Sequence, residues 1–197
     1  MSFTYKIIPN FLTKEESKVI LDFSIENLTL EPAETTTYTK FDTVEDNINN
    51  DIRKSNVVFY PYYKKFPFLL EKTTKLLNDN IDIKGFELDY EHSEFQFTEY
   101  NVGDFFNWHR DNNSHNITEF DRYCSIVILL NDEYENGDLQ MGTTNDEILT
   151  VEKKTGNLVI FLSDTIHRVT QITNGSRYTL VNWVGLKKQN NYKKTLL

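Results

Sequence analysis

From residue 86 onward the side chains of this chain alternate with a period of two. The segments FELDYE, EFQFTEY, FFNWHRD, CSIVILLN, DLQMG, EILTVE, LVIFL, HRVTQIT and RYTLVNWVGL follow one another with no helical segment between them. A period of two belongs to extended backbone, where successive side chains leave opposite faces. The breaks carry turn chemistry: Glu135-Asn136-Gly137, Thr155-Gly156-Asn157 and Asn174-Gly175-Ser176 each supply a glycine where the chain must reverse. Many short strands without crossover helices exclude a parallel α/β sheet and predict a β-sandwich or jelly roll.

The first part of the chain reads differently. Thr13, followed three residues later by Glu16, has the pattern of a capping box, and Val19, Ile20, Phe23 and the run Ile25 to Leu28 continue an apolar helical face, predicting a helix over about 13–27. SNVVFY reads as a strand, and PFLLEKTTKLLNDN as a second helix with Leu69, Leu70, Leu76 and Leu77 on one side. Residues 31–52, rich in Thr, Glu, Asp and Asn without sustained periodicity, read as a long surface loop and a candidate lid. At 197 residues the chain is long enough for one well-buried core and short for two. The expectation is a single domain over 1–197, α+β but mainly β. It comprises a helical and loop part over 1–85 whose helices pack on one face, a jelly-roll core over about 86–186, and a polar basic tail over 187–197.

Composition removes several function classes. No apolar run reaches the roughly 18 residues of a membrane span, and MSFTYKIIPNF lacks the apolar stretch of a secretory signal, so a cytoplasmic protein with no membrane partner is expected. A net charge of -9 argues against nucleic acid as a partner, because that affinity rests on basic residues neutralising phosphates. Cys124 is the only cysteine, which excludes an internal disulfide and a thiolate metal cluster; at the head of CSIVILL it reads as a core residue. The excess of lysine over arginine and the abundant asparagine suggest an AT-rich bacterial or viral genome.

Against that background NVGDFFNWHRDNN, residues 101–113, stands out. On a strand, residues two apart face the same side, so His109 and Asp111 offer two donors of a chelate. An imidazole, a carboxylate and a second imidazole, with adjacent positions left open, make the facial triad of non-haem Fe(II) oxygenases. His167 is the best candidate for the second imidazole, since it follows the buried strand LVIFL and begins another extended segment. His92, in the charged turn DYEHSE, and His115, in the polar loop NNSHNIT, are weaker choices. Arg177 strengthens the pattern. It opens RYTLVNWV just after a turn, and an arginine inside an apolar barrel requires an anion, for which its planar fork suits a carboxylate. A dicarboxylate such as 2-oxoglutarate would supply that anion while its keto acid chelates iron.

The residues together resemble a known family. Tyr100, Gly103, Phe106, His109 and Asp111 form a Y-x-x-G-x-x-F-x-x-H-x-D run. Downstream come R-x-x-S (Arg122 to Ser125), N-G-D-L (Asn136 to Leu139), G-N-L-V-I-F (Gly156 to Phe161), H-R-V (His167 to Val169) and R-Y-T (Arg177 to Thr179). This resembles the Fe(II)- and 2-oxoglutarate-dependent oxygenases of the prolyl 4-hydroxylase-like branch, over about residues 53–186. The resemblance implies a double-stranded β-helix in which the strands of His109 and His167 are neighbours and the arginine strand lies in the facing sheet. It implies that His109, Asp111 and His167 bind iron, that Arg177 anchors the distal carboxylate of 2-oxoglutarate, and that Tyr100 lines the co-substrate pocket. Thr179 and Trp183 share the parity of Arg177 and would face inward, Thr179 toward the co-substrate and Trp183 toward the substrate pocket or as core filling. Two positions depart from the usual pattern: Asn136-Gly137 stands where relatives carry Gly-Gly, and Phe106 where many carry tyrosine. Neither touches the metal ligands.

The implied chemistry is hydroxylation of a substrate C–H bond with consumption of O2 and 2-oxoglutarate and release of succinate and CO2. A prolyl residue of a peptide or protein is the first substrate expectation; another residue or a small molecule remains open. Rival readings are a nucleic-acid demethylase, disfavoured by the acidic charge, and a hydrolytic zinc enzyme, for which no general base stands out. A further rival is a non-catalytic jelly-roll metal-binding or sensory module, which would have no need of an inward Arg177.

Overall fold

A computed structural model of the chain describes residues 5–38, 44–81, 86–89, 94–112, 122–143 and 147–188; His92, His115 and the tail beyond residue 188 lie outside the described residues. The N-terminal elements are β1 (Tyr5–Ile8), α1 (Lys14–Asn27), β2 (Glu31–Pro32), β3 (Thr35–Tyr38), β4 (Val44–Asn47), β5 (Arg53–Lys54), β6 (Asn56–Tyr60), α2 (Tyr62–Lys65) and α3 (Pro67–Asn80). There follow β7 (Phe86–Asp89), β8 (Phe95–Tyr100), β9 (Phe105–His109), β10 (Arg122–Leu129), β11 (Tyr134–Asn136), β12 (Leu139–Gly142) and β13 (Ile148–Thr150). The last are β14 (Leu158–Leu162), β15 (His167–Val169), β16 (Ile172–Gly175) and β17 (Arg177–Lys188).

The two helices that the sequence predicts, α1 and α3, begin where their sequences say they should; the four-residue α2 was not anticipated. Thr13 caps α1 through a reciprocal pair: its hydroxyl accepts from the Glu16 amide at 3.1 Å, and the Glu16 carboxylate accepts from the Thr13 amide at 2.8 Å. Pro67 opens α3, where a missing amide proton costs nothing. The buried stripe of α3 is Leu69, Thr73, Leu76 and Leu77. Leu70, expected on that side, is exposed instead, because a stripe spaced i, i+4, i+7, i+8 leaves position i+1 at its edge.

The larger sheet runs β1-β14-β10-β17-β8-β6-β2, with β7 also on β17; the second runs β13-β12-β15-β9-β5, and every pairing is antiparallel. On the outward face of the larger sheet Phe97, Ile126, Leu158 and Leu180 pack with Ile20 of α1 and Leu69 and Leu77 of α3 in one apolar cluster. On its inward face Val127, Val159 and Phe161 meet Leu139 and Met141 of the second sheet. This is the jelly roll with helices on one face that the period-two pattern predicts. Cys124 is fully buried in the outer cluster, and burial pushes its thiol up to about 12.

Two expectations need correction. The segment 31–52 is not one long loop: β2 joins the larger sheet, and β3 pairs with β4 in a hairpin, Thr35 opposite Asn47. A ribbon as polar as TTTY and VEDN has no apolar alternation to betray it, only the β-preference of its threonines. Nor is the first part of the chain merely helical and loop, since β1, β2 and β6 extend the larger sheet and β5 the second.

One glycine fixes how the N-terminus meets the barrel. Gly156 has φ +83°, and a Cβ there would lie 2.1 Å from the Leu12 carbonyl oxygen, so only glycine lets the two backbones close to the 3.0 Å bond from the Leu12 amide to the Gly156 carbonyl. Among the described residues no helix is long and apolar enough to cross a membrane.

Candidate active site

His109 ends β9 and His167 begins β15, and the two are register partners across the ladder. Asp111 does not stand on the strand, as its spacing from His109 suggests, but two residues beyond its end. The Asp111 and Asn112 amides both donate to the Ser163 carbonyl at 2.9 Å, which turns the chain and delivers the carboxylate between the two rings. His109 Nε2 lies 3.6 Å from Asp111 Oδ1, and His167 Nε2 lies 3.6 Å from Asp111 Oδ2. One ligand atom from each residue falls within 4.8 Å of the others.

The orientation of the rings is set by their outer nitrogens. His109 Nδ1 is 2.7 Å from the Asn107 carbonyl and His167 Nδ1 is 2.9 Å from the Thr165 carbonyl. A carbonyl only accepts, so each Nδ1 carries the hydrogen and each Nε2 presents its lone pair to the centre. Ser125 donates to Asp111 Oδ2 at 2.6 Å and is itself 2.9 Å from the Ser163 hydroxyl. Burial pushes the His167 imidazole down to about 4, against the pull of Asp111, so the ring is neutral at physiological pH. Burial alone would raise Asp111, but the two imidazoles beside it and the hydrogen bond from the Ser125 hydroxyl outweigh this and leave the carboxyl lowered. Converging lone pairs from two imidazoles and a carboxylate repel one another unless a cation sits among them, and this donor set suits ferrous iron.

Arg177 comes from the facing sheet. It is 2% exposed, opposite Tyr100 in the ladder, and its guanidinium lies 5.2 Å from the Tyr100 ring centroid. Its Nε has no hydrogen-bond partner, and neither has the buried Thr179 hydroxyl. Burial pushes the Tyr134 phenol up, and the adjacent Arg177 charge opposes that push. Buried donors without an acceptor are costly, and a carboxylate, which only accepts, is the group that answers them. The structure gathers Tyr100, Arg177, Thr179 and Trp183 around one inner pocket with the His109, Asp111 and His167 side chains. Trp183 lies where this pocket passes into a wider outer cleft, its ring 3.9 Å below the Arg122 guanidinium and its buried Nε1 unpartnered.

Sequence reasoning passed over Gln96, Arg53 and Ser125 as site residues. Gln96 carried a signal: it shares strand parity with Thr98 and Tyr100, so a polar inner face alternates with Phe95 and Phe97 along β8. Ser125 sat in the quoted R-x-x-S run without a role, which its bond to Asp111 now provides. Arg53 had none, since the two-residue β5 is too short to show a period.

Residues 95–185 match the sequence model of the 2OG-Fe(II) oxygenase superfamily. Among curated relatives, the chain is similar to a PKHD-type hydroxylase of Prochlorococcus marinus (strain MIT 9211), 26% identical over 97% of this chain and 82% of that one. A second, from Synechococcus sp. (strain CC9605), is 27% identical over 57% of this chain, and the matched part spans half of that relative's length. Among solved structures, the fold is similar to a Pseudomonas putida prolyl-4-hydroxylase, with a TM-score of 0.68 and 20% identity covering 93% of each chain. It is also similar to a viral collagen prolyl hydroxylase from Paramecium Bursaria Chlorella virus-1 in its 2OG complex, with a TM-score of 0.65 and 15% identity over 92% of this chain and 95% of that one.

Proposed function

We propose that this chain, a member of the 2OG-Fe(II) oxygenase superfamily, is a dioxygenase that hydroxylates a prolyl residue of a peptide or protein. The observation that carries the reading is the unpartnered Nε of the Arg177 guanidinium, buried in the same pocket as a His-Asp-His donor set. A site that only held a metal would gain nothing from that buried charge.

His109, Asp111 and His167 would hold Fe(II). When bound, the iron with 2-oxoglutarate and O2 supplies the oxidation that turns a substrate C–H into C–OH, with succinate and CO2 as the other products. The protein's part is placement. The Asn107 and Thr165 carbonyls keep both imidazole Nε2 atoms aimed inward, and Ser125 fixes the Asp111 carboxylate. Arg177, Thr179 and Tyr100 receive the distal carboxylate of the co-substrate, while Val127, Leu139 and Val181 keep water from the pocket wall. Trp183, at the passage to the outer cleft, contacts the substrate. Glu31, Pro32, Glu34 and Thr35 border that cleft, which supports a substrate chain passing beside the start of the 31–52 segment.

The single-domain organisation belongs to this reading, supported by β1, β2 and β6 joining the sheet of β8 to β17. So does a cytoplasmic setting. The test is anaerobic visible absorption of the purified protein with Fe(II) and 2-oxoglutarate, followed by mass analysis of prolyl peptides exposed to air. A charge-transfer band requiring both additions, and a peptide heavier by one oxygen atom, are the expected results. Absence of the band in iron-replete protein would sink the reading.

A further inference from the structure

The inner pocket opens into an outer cleft of roughly 780 Å³ lined by Arg53, Arg110 and Arg122. Arginine occurs only five times in the chain, against sixteen lysines, and the net charge is -9. A fourth arginine, Arg177, lies in the inner pocket, and the fifth, Arg168, sits 4.6 Å from the ring of Trp108, which lines the cleft. No lysine among the described residues lines it. A chain that uses lysine nearly everywhere else gathers its arginines in one place. What arginine adds there is a planar fork able to grip a carboxylate through two parallel hydrogen bonds.

Among the described residues the three cleft guanidiniums lack an ion-pair partner. Arg53 is 8% exposed, its Nε donating to the Ser55 hydroxyl at 2.9 Å and its fork 4.7 Å from the Phe106 ring centroid. Arg122 stacks on Trp183 and reaches the Asp111 carbonyl at 3.4 Å. Among the described residues none of the three has a carboxylate within ion-pair distance. The acidic groups bordering the cleft are Asp111, already engaged by the histidines and Ser125, and Glu31 and Glu34. Cations held together without a counter-ion favour an incoming anion.

We propose that the cleft selects an acidic peptide segment, in which aspartate or glutamate flanking the target proline seats on Arg53, Arg110 and Arg122 while Phe59 and Trp108 pack against the segment. The inference rests on the hydroxylase reading above and narrows its substrate. It also explains the exposed aromatics: Phe59 is 50% and Trp108 36% exposed, both on the cleft wall. On a surface otherwise acidic, this is where a negatively charged chain gains instead of losing electrostatic energy.

The test uses iron-loaded protein with 2-oxoglutarate and three labelled peptides sharing a central proline, flanked by Asp and Glu, by Asn and Gln, or by Lys. Fluorescence anisotropy at low and high salt reads binding, and mass analysis reads oxygen gain. The acidic peptide is expected to bind at least about tenfold tighter than its amide isostere, the worth of one or two charge-assisted hydrogen bonds. That preference shrinks with salt and in Arg53→Gln and Arg110→Gln. Arg110→Glu moves the preference toward the lysine peptide, a gain that misfolding cannot produce. Equal binding of all three peptides, or no binding of the acidic one, overturns the proposal. So does hydroxylation of the amide peptide as efficient as that of the acidic one, an outcome that leaves the hydroxylase reading intact. Charge-selective binding with no oxygen gained in any peptide upholds the selectivity and sinks the hydroxylase reading instead.

Discussion

The two faces of the larger sheet are made by the same strands and could hardly differ more. The outward side chains Phe97, Ile126, Leu158 and Leu180 have no exposed surface and no polar atom to satisfy, and α1 and α3 cover them. One residue along, the inward side chains include the polar Gln96, Thr98, Ser125, Arg177 and Thr179 beside Val127, Val159 and Phe161, buried just as deeply, with Arg177 Nε and Thr179 Oγ1 left without partners. Burial therefore does two different jobs. On the outer face it stabilises the fold; on the inner face it also leaves two polar atoms dry and unanswered, a destabilising arrangement that makes sense where a ligand supplies the missing partners.

Substitutions on opposite faces should separate these roles. The largest effect belongs to Asp111→Ala, which is expected to abolish iron-dependent absorption and turnover while thermal melting of the metal-free protein shows the fold retained. Ile126→Ala, on the outward face of the strand that carries Ser125, should lower unfolding stability by about 2–5 kcal/mol in denaturant titrations. It should leave the 2-oxoglutarate requirement of the remaining folded protein unchanged; a shifted requirement would show that the faces are coupled. Ser125→Ala should do the reverse, weakening iron affinity about 10- to 100-fold in a metal titration with little change in melting. The smallest effect lies outside the barrel, where Lys72 of α3 pairs with Glu16 of α1 at 2.6 Å. Burial would raise the Glu16 carboxyl, but its bonds with Lys72 and the Thr13 amide leave it lowered. A lowered folded-state value means the pair stabilises above the ordinary carboxylate range and that this is lost as pH falls through the folded value. Glu16→Gln should therefore cost about 0.2–1 kcal/mol near neutrality and nothing in strong acid, as read by pH-dependent melting.

The same contrast explains what could be read before the structure was known. Outward residues such as Ile126 and Leu158 announce themselves by period, and α1 and α3 announce their starts through Thr13 and Pro67. His109, His167 and Arg177 were legible because each sits at the end of a strand whose run is unmistakable. Asp111 was found for an incomplete reason: its carboxylate reaches the histidines by a turn pinned to Ser163, a contact between residues far apart in the chain that no local spacing records. Arg53 and the β3–β4 hairpin stayed hidden because a two-residue strand and an all-polar ribbon leave no hydrophobic rhythm.

β17 has a consequence for biosynthesis. It is the central strand, paired with β10 on one side and β8 on the other, and without it the larger sheet falls into two halves, β1-β14-β10 and β8-β6-β2. A chain emerging from the ribosome therefore presents two unpaired strand edges until residues 177–184 are made, and folding must wait for contacts long-range in sequence. That strand also carries Arg177 and Thr179, so the inner pocket is completed only with it, and the interval before β17 zips the halves together is when the protein is most exposed to aggregation.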